Sequence, residues 1–286
     1  MINPVTKIAN VGVGGTNPVR IMSILNTSPE SYNKKSIHVN KSDIKNSVKQ
    51  MENDGADFID VGGMSTAPYL STLVSENVET KRITNAIKII QNSSNLPISI
   101  DTCRANVART ALELGVEIIN DISGLKFDKK MSDVISKFDP SLILCAYDSK
   151  IVSGNVTCTK KLLRESLKIA KESNISLEKI ILDPAIGFFR KTGYGPFFTK
   201  IKSDWIKRDL SILQNLKSIK QSLPILISVS NKSFIGNLLG EQNPSDRLFG
   251  SIAAESISVI NGVDVIRTHN VSATKDSIII ASNLIK

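Results

Sequence analysis

The chain has 286 residues, 41% of them apolar and 22% charged, and carries a net charge of +9 from 36 Lys and Arg against 27 Asp and Glu. This is an ordinary globular profile with enough chain for a large core, and α/β barrels of this size are commonly single domains. No apolar run approaches the roughly 20 residues of a membrane helix, which excludes a helical membrane protein. The basic residues are scattered and lack interleaved aromatics, so they read as solvated surface and not as a nucleic-acid footprint. Cys103, Cys145 and Cys158 are too few and too far apart for a zinc site or a disulfide framework, and are expected as buried free thiols. The first residues, Met1-Ile2-Asn3-Pro4, have no basic region leading into an apolar one, so no secretory signal is read and a cytoplasmic location is expected.

In chain order, Ile21 to Leu25 reads as a strand ending at Asn26 and running into the polar stretch Thr27 to Tyr32. A helix from Ser42, its expected cap, to about Asp54 stops at Gly55. Phe58 to Val61 is a second strand, leading into Gly62-Gly63-Met64-Ser65-Thr66-Ala67-Pro68, and a helix follows from about Ser75 to Gln91. The stretch Leu96 to Gly124 then reads as strand, helix, strand. Ile98 to Ile100 ends at Asp101, apolar residues from Ala105 to Leu114 recur at helical spacing, and Val116 to Ile119 ends at Asn120-Asp121. Parallel crossovers return to the same side of a sheet, so Asp101, Asn120 and Asp121 are expected to lie close together.

A helix around Met131 to Lys137 precedes a strand at Leu142 to Cys145. Asp148 to Thr157 reads as a polar loop and Lys160 to Glu172 as an amphipathic helix. Ile180 to Leu182 is a strand ending at Asp183-Pro184, followed by a long basic and aromatic connection from Phe189 to Trp205 and a helix from Asp209 to Ser218. Ile225 to Val229 leads into Ser230-Asn231-Lys232-Ser233, a helix spans about Ser245 to Asn261, Val263 to Ile266 leads into Arg267-Thr268-His269, and a last helix begins at Ala273. Eight strands alternating with helices imply a parallel sheet, and in one domain they point to a closed (β/α)8 TIM barrel, with an open doubly wound sheet as the alternative. No GxGxxG follows the first strand, which argues against a dinucleotide fold.

Most of the strands end on a group able to bind or react: Asn26, Thr66, Asp101, Asn120, Asp183, Lys232 and the Arg267/His269 pair. In a barrel these ends share one mouth. Each has a bland reading when taken singly: Asp183 as a turn former before Pro184, Asn26 as a loop starter, Thr66 as a residue approaching a helix. That reading has to be repeated strand after strand, and it leaves Lys232 and Arg267 unexplained. Cations after the seventh and eighth strands occupy the usual phosphate position of a barrel, and Arg267 and His269, two apart, project to one side. Asp101, Asn120 and Asp183 supply the acceptors that a flat heterocycle with an amino-pyrimidine edge requires. No Ser-His-Asp or Cys/His arrangement is evident, and Asn26 would make a Mg²⁺ ligand only with help from substrate phosphates. His38, in a polar loop, is read as a surface residue.

Seven ordered segments carry a resemblance. They are Asn26 to Tyr32, Asp60 to Thr66, Ser99 to Thr102, Asn120 to Gly124, Asp183 to Phe188, Ser230 to Gly236 and Arg267 to His269. Together, from about residue 21 to 276, they resemble the motifs of dihydropteroate synthases. The resemblance implies one pterin-binding barrel domain over residues 1–286 that condenses 6-hydroxymethyl-dihydropterin diphosphate with an arylamine, usually p-aminobenzoate, and releases diphosphate. It implies pterin contacts at Asp101, Asn120, Ile122, Asp183, Phe188 and Lys232, with Asp101 and Lys232 catalytic. Diphosphate contacts are implied at Asn26, Thr66, Arg267 and His269, with Mg²⁺ held by Asn26 and the substrate. An arylamine pocket is implied at Thr66, Ala67, Pro68, Phe188 and Ser230, and a homodimer through barrel helices.

The chain departs from the family pattern in three loops. Ala67 stands where the second loop usually has arginine, Asn231 where Ser-Arg-Lys-Ser is usual, and Phe189 where glycine follows Gly187-Phe188. These departures fall around the arylamine pocket, so a different arylamine is expected. The Ser-Thr-Ala-Pro loop resembles archaeal members linked to methanopterin-type cofactors, whose arylamine carries a ribosyl phosphate. Two rival readings are a pterin-binding methyltransferase domain acting with a corrinoid protein, disfavoured by Lys232 with Arg267-Thr268-His269, and a non-catalytic pterin-binding barrel.

Overall fold

A computed structural model describes residues 6–29, 40–69 and 73–285. Eight parallel strands form the barrel, numbered here in chain order: β1 (Arg20–Asn26), β2 (Phe58–Gly62), β3 (Ile98–Asp101), β4 (Ile118–Asp121), β5 (Ser141–Cys145), β6 (Ile180–Asp183), β7 (Leu226–Ile227) and β8 (Val265–Thr268). Neighbours run β7-β8-β1-β2-β3-β4-β5-β6. The cylinder closes between its ends through a parallel bridge from Leu182 to Ile225 and the bond from Leu182 N–H to Pro224 C=O at 2.9 Å. The expected barrel is therefore present, and the open sheet is not.

Side chains on a strand alternate between faces, so one parity of every strand fills the barrel and the other meets the helices. The inward set at the lower end is Met22, Phe58, Ile118, Ile143, Ile181, Leu226 and Val265, which form one buried cluster with Ile8 and Val13. Ile8 and Val13 come from a hairpin that the sequence reading missed, Thr6–Ile8 paired with Val11–Val13. Its turn residues, Ala9 and Asn10, have φ of 45° and 69°. The hairpin plugs the N-terminal end of the barrel. Two residues further along, five of these strands turn polar on the inward side: Phe58 gives way to Asp60, Ile118 to Asn120, Ile181 to Asp183, Leu226 to Ser228 and Val265 to Arg267. A dry floor thus lies one layer beneath a charged mouth.

The outer helices follow the expected periodicity with shifted ends. The first, Lys41–Asp54, is capped by Asn40 and not by Ser42: the Asn40 side chain accepts the Asp43 N–H at 2.9 Å, and Gly55 ends the helix at φ 99°. The helix expected from Lys160 begins at Val156 behind an Asn155 cap. That expected from Asp209 begins at Trp205 behind Asp204 and breaks into Trp205–Gln214 and Leu216–Ile219. A short helix, Ser233–Leu239, was not foreseen, and the next helix runs Leu248–Ile260 after a 3₁₀ turn at Pro244–Asp246. The last helix begins at Val271.

The connection after Gly187 is an ordered strap. Phe189–Arg190 pairs in parallel with Thr199–Lys200. Tyr194 N–H donates to Pro68 C=O at 2.7 Å, and Tyr147 Oη donates to Pro196 C=O at 2.7 Å. The strap therefore ties the loop after β6 to the loop after β2. Cys103 and Cys145 are buried free thiols as expected, whereas Cys158 is half-buried. No helix among the described residues is long and apolar enough to cross a membrane. Glu30, Ser31, Tyr32 and His38 lie outside the described residues.

Candidate active site

The strand register sets neighbouring polar residues side by side at the C-terminal mouth. Asn26 pairs with Gly62, Gly62 with Asp101, and Asp101 with Asn120. On the opposite wall, Arg267 of β8 reaches across the barrel. Its Nε donates to Asp60 Oδ2 at 2.6 Å, and one terminal nitrogen donates to Asp101 Oδ2 at 3.0 Å. Asn120 Nδ2 donates to the same Asp60 oxygen at 3.3 Å. A carboxylate only accepts, so the Asn120 amide nitrogen has to face Asp60 and its oxygen has to face away. Asp60, fully buried, is thus the hub of the site. The sequence reading gave it no role because it lies inside the strand and not at its end. The missed signal was a lone carboxylate at an inward position of an apolar strand.

Three buried acceptor atoms of this cluster have no donor among the described residues: Asp60 Oδ1, Asp101 Oδ1 and Asn120 Oδ1. Leaving such an atom unpaired costs about 1–3 kcal/mol, which a ligand carrying N–H donors returns. Asp183 lies in the next part of the wall, with Oδ1 accepting the Ala185 N–H at 2.7 Å. Burial raises its pKa above the usual carboxylate range, against the opposing pull of that N–H and of Lys232. Asp101 is pushed up to about 7, by burial first and then by Asp60 and Glu79, while Arg267 and Lys232 oppose the rise. Despite burial, Asp60 and Asp101 raise the pKa of Arg267, which keeps its charge.

Lys232 enters from the loop after β7. Its ammonium lies 4.1 Å from the centre of the Phe188 ring, and burial together with the Arg267 charge lowers its pKa to about 8. Gly187, at φ 85°, lets the lysine pass: a Cβ there would stand 2.8 Å from Lys232 Cδ. The neighbouring Asn231 has φ 57°, a left-handed conformation that asparagine tolerates better than most residues, and its N–H donates to Ser251 Oγ at 2.9 Å. His269 accompanies Ser230. Ser230 Oγ accepts the His269 backbone N–H at 3.2 Å and lies 3.0 Å from Nδ1. Burial and the charges of Arg267 and Lys232 hold the imidazole pKa down at about 3, so the ring is neutral. With the Ser230 hydroxyl donating a hydrogen bond to Nδ1, the neutral ring carries its proton on Nε2, which is left as a donor.

Asn26, Thr66, Ala67, Pro68, Asp101, Phe188, Ser230, Lys232, Arg267 and His269 line one cleft, together with Tyr69, Ser228 and Asn231. Asn120 and Asp183 are not among the residues that line it. Ile122 is packed in the outer hydrophobic core and Asp121 accepts the N–H groups of Ser123 and Leu125, so neither lines the cleft. The second loop is fastened from behind. Buried Glu79 accepts from Thr102 Oγ1 at 2.7 Å and from Arg104 at 2.6 Å, and Arg104 donates onward to Val74 C=O at 2.8 Å. Among the described residues no group of three or more His, Cys, Asp or Glu is placed to hold a metal.

The chain matches the family of pterin binding enzymes over residues 22–269 and belongs to it. Within that family its relatives include dihydropteroate synthases, which are transferases. It is 36% identical over 255 residues to the dihydropteroate synthase of Clostridium beijerinckii, covering 88% of each chain. It is 31% identical over 262 residues to that of Synechocystis, covering 88% of this chain and 86% of the relative. A solved dihydropteroate synthase from Coxiella burnetii, in complex with pteroic acid, superimposes with a TM-score of 0.83 at 30% identity over 99% of both chains.

Proposed function

We propose that the protein condenses 6-hydroxymethyl-dihydropterin diphosphate with p-aminobenzoate, in folate biosynthesis in the cytoplasm. The observation that carries this reading is the pair of unpaired buried acceptors on Asp101 and Asn120, beside the cations Lys232 and Arg267. The amino-pyrimidine edge of a pterin offers N–H donors to such acceptors. Two of the five N–H donors of the Arg267 guanidinium are used by carboxylates, which leaves others for a phosphate oxygen. His269 Nε2–H and Thr66 Oγ1 are further donors at the cleft.

In the reaction the bond from the pterin methylene carbon to the diphosphate oxygen breaks, and the electron pair leaves with the diphosphate. The arylamine nitrogen then attacks that carbon and loses a proton. Ionised Asp101 stabilises the cation formed in between, and Lys232 orients the ring against Phe188. No protein nucleophile is needed. The cleft suits Mg²⁺ only in a restricted sense: Asn26 offers one amide oxygen, so the diphosphate would supply most other ligands, and the ion would neutralise leaving-group charge.

A ribosylated phosphate derivative of p-aminobenzoate is the second reading. It is favoured by Ala67, a small neutral residue in the cleft wall where the family loop usually has arginine. The protein is further proposed to form a homodimer. Leu238, Leu239, Phe249 and Ile257, on Ser233–Leu239 and Leu248–Ile260, are exposed together, with Phe249 86% exposed. The test of function is diphosphate release from the pterin diphosphate with a panel of arylamines. Release that depends on p-aminobenzoate or its ribosylated phosphate is the expected result. No release with any arylamine would overturn the reading, and methyl transfer to a corrinoid protein would replace it.

A further inference from the structure

Asp60 is a fully buried carboxylate in the barrel interior, flanked in register by Ile24 and Ser99, two residues above the apolar floor at Phe58. Holding a charge there is costly unless its partners require it. One of its oxygens, Oδ2, takes both Arg267 Nε at 2.6 Å and Asn120 Nδ2 at 3.3 Å. The first bond turns the guanidinium so that its terminal nitrogen meets Asp101 at 3.0 Å. The second forces the Asn120 amide to present its oxygen, which is buried and has no donor among the described residues. Among the described residues no other anion is bonded to both groups.

We infer that Asp60 is a positioning residue that fixes the orientation of Arg267 and Asn120 at once, and thereby sets the hydrogen-bonding edge offered to the pterin ring. This rests on the pterin reading above. The groups that act on Asp101 follow the same arrangement: Arg267 and Lys232 are the cations facing it, Asp60 and Glu79 the anions, and the thiols of Cys103 and Cys145 lie nearby in protonated form. Removing the Asp60 charge therefore lowers the pH at which Asp101 ionises, because an anion is lost and Arg267 is released to Asp101 alone.

The test uses Asp60→Asn, which keeps the shape of the side chain, with Asp60→Glu as a second variant that keeps the charge but moves it. Two readouts are taken on the whole chain after circular dichroism shows both variants folded. The first is calorimetric titration with 6-hydroxymethylpterin. The second is the carboxyl carbon-13 titration of Asp101, assigned with Asp101→Asn. Expected are a loss of pterin affinity of about tenfold or more in both variants, and an Asp101 titration midpoint that falls in Asp60→Asn. Wild-type affinity in both variants, or an unmoved Asp101 midpoint in Asp60→Asn, would overturn the inference. The Asp101 titration needs no substrate. A wild type without turnover would therefore sink the proposed reaction, while the role of Asp60 would still be decided.

Discussion

Replacing Lys232 by methionine should make the empty protein more stable and the enzyme worse. Burial and Arg267 lower the Lys232 pKa from 10.5 to about 8. Holding the charge therefore costs the folded state up to about 3 kcal/mol. The ammonium recovers part of this over the Phe188 ring at 4.1 Å, a contact worth about 0.5–2 kcal/mol. Methionine has a similar length and packs against an aromatic face, so a net gain of about 1–3 kcal/mol remains, a rise of several degrees in Tm. The sign follows from linkage: between the two pKa values the unfolded chain holds the proton that the folded chain has released, so wild-type stability climbs with pH. The advantage of the variant is therefore full at pH 7, shrinks by about 1 kcal/mol at pH 9, and is lost above the unfolded pKa. Thermal melts at both pH values measure it, and kcat/KM for the pterin diphosphate should fall at least tenfold. A Tm below wild type at pH 7, or an advantage that does not change with pH, would refute the reasoning.

Other consequences can be checked in the same way. The kcat/KM for pterin diphosphate should describe a narrow bell, falling below about pH 7 as Asp101 protonates and above about pH 8 as Lys232 loses its charge. A flat profile from pH 6 to 9 would contradict both assignments. Phe249→Asp should convert a dimer to monomer in sedimentation without altering the barrel, since its side chain is 86% exposed in the single chain. A wild-type monomer, or a variant that still dimerises, would remove that face as the interface.

Much of the barrel was legible because its strands are buried on both sides and read as short β-branched runs, while the helices between them carry a clear apolar period. The hairpin at Thr6–Val13 was not, because its tight turn uses Ala9-Asn10 in place of the usual Asn-Gly, and its strands are only three residues long. Ser233–Leu239 is too short for a periodic signal. Helix starts slipped where the caps, Asn155 and Asp204, lie inside stretches read as loop. Asp101, Asn120, Asp183, Lys232 and Arg267 were legible as polar ends of apolar strands. Asp60 was passed over although it is a lone carboxylate in an apolar strand, because its partners Arg267 and Asn120 lie 207 and 60 residues away. Arg267 was read as a phosphate clamp, and the structure gives it two carboxylates as well.

The most direct measurement is a crystal structure of the protein with 6-hydroxymethyl-dihydropterin diphosphate. The ring is expected over the apolar floor with its N–H edge on Asp101, Asn120 and Asp183, and the diphosphate beside Asn26, Arg267 and His269. Substrate density away from this mouth, or a ring turned with its N–H edge toward Lys232, would contradict the account.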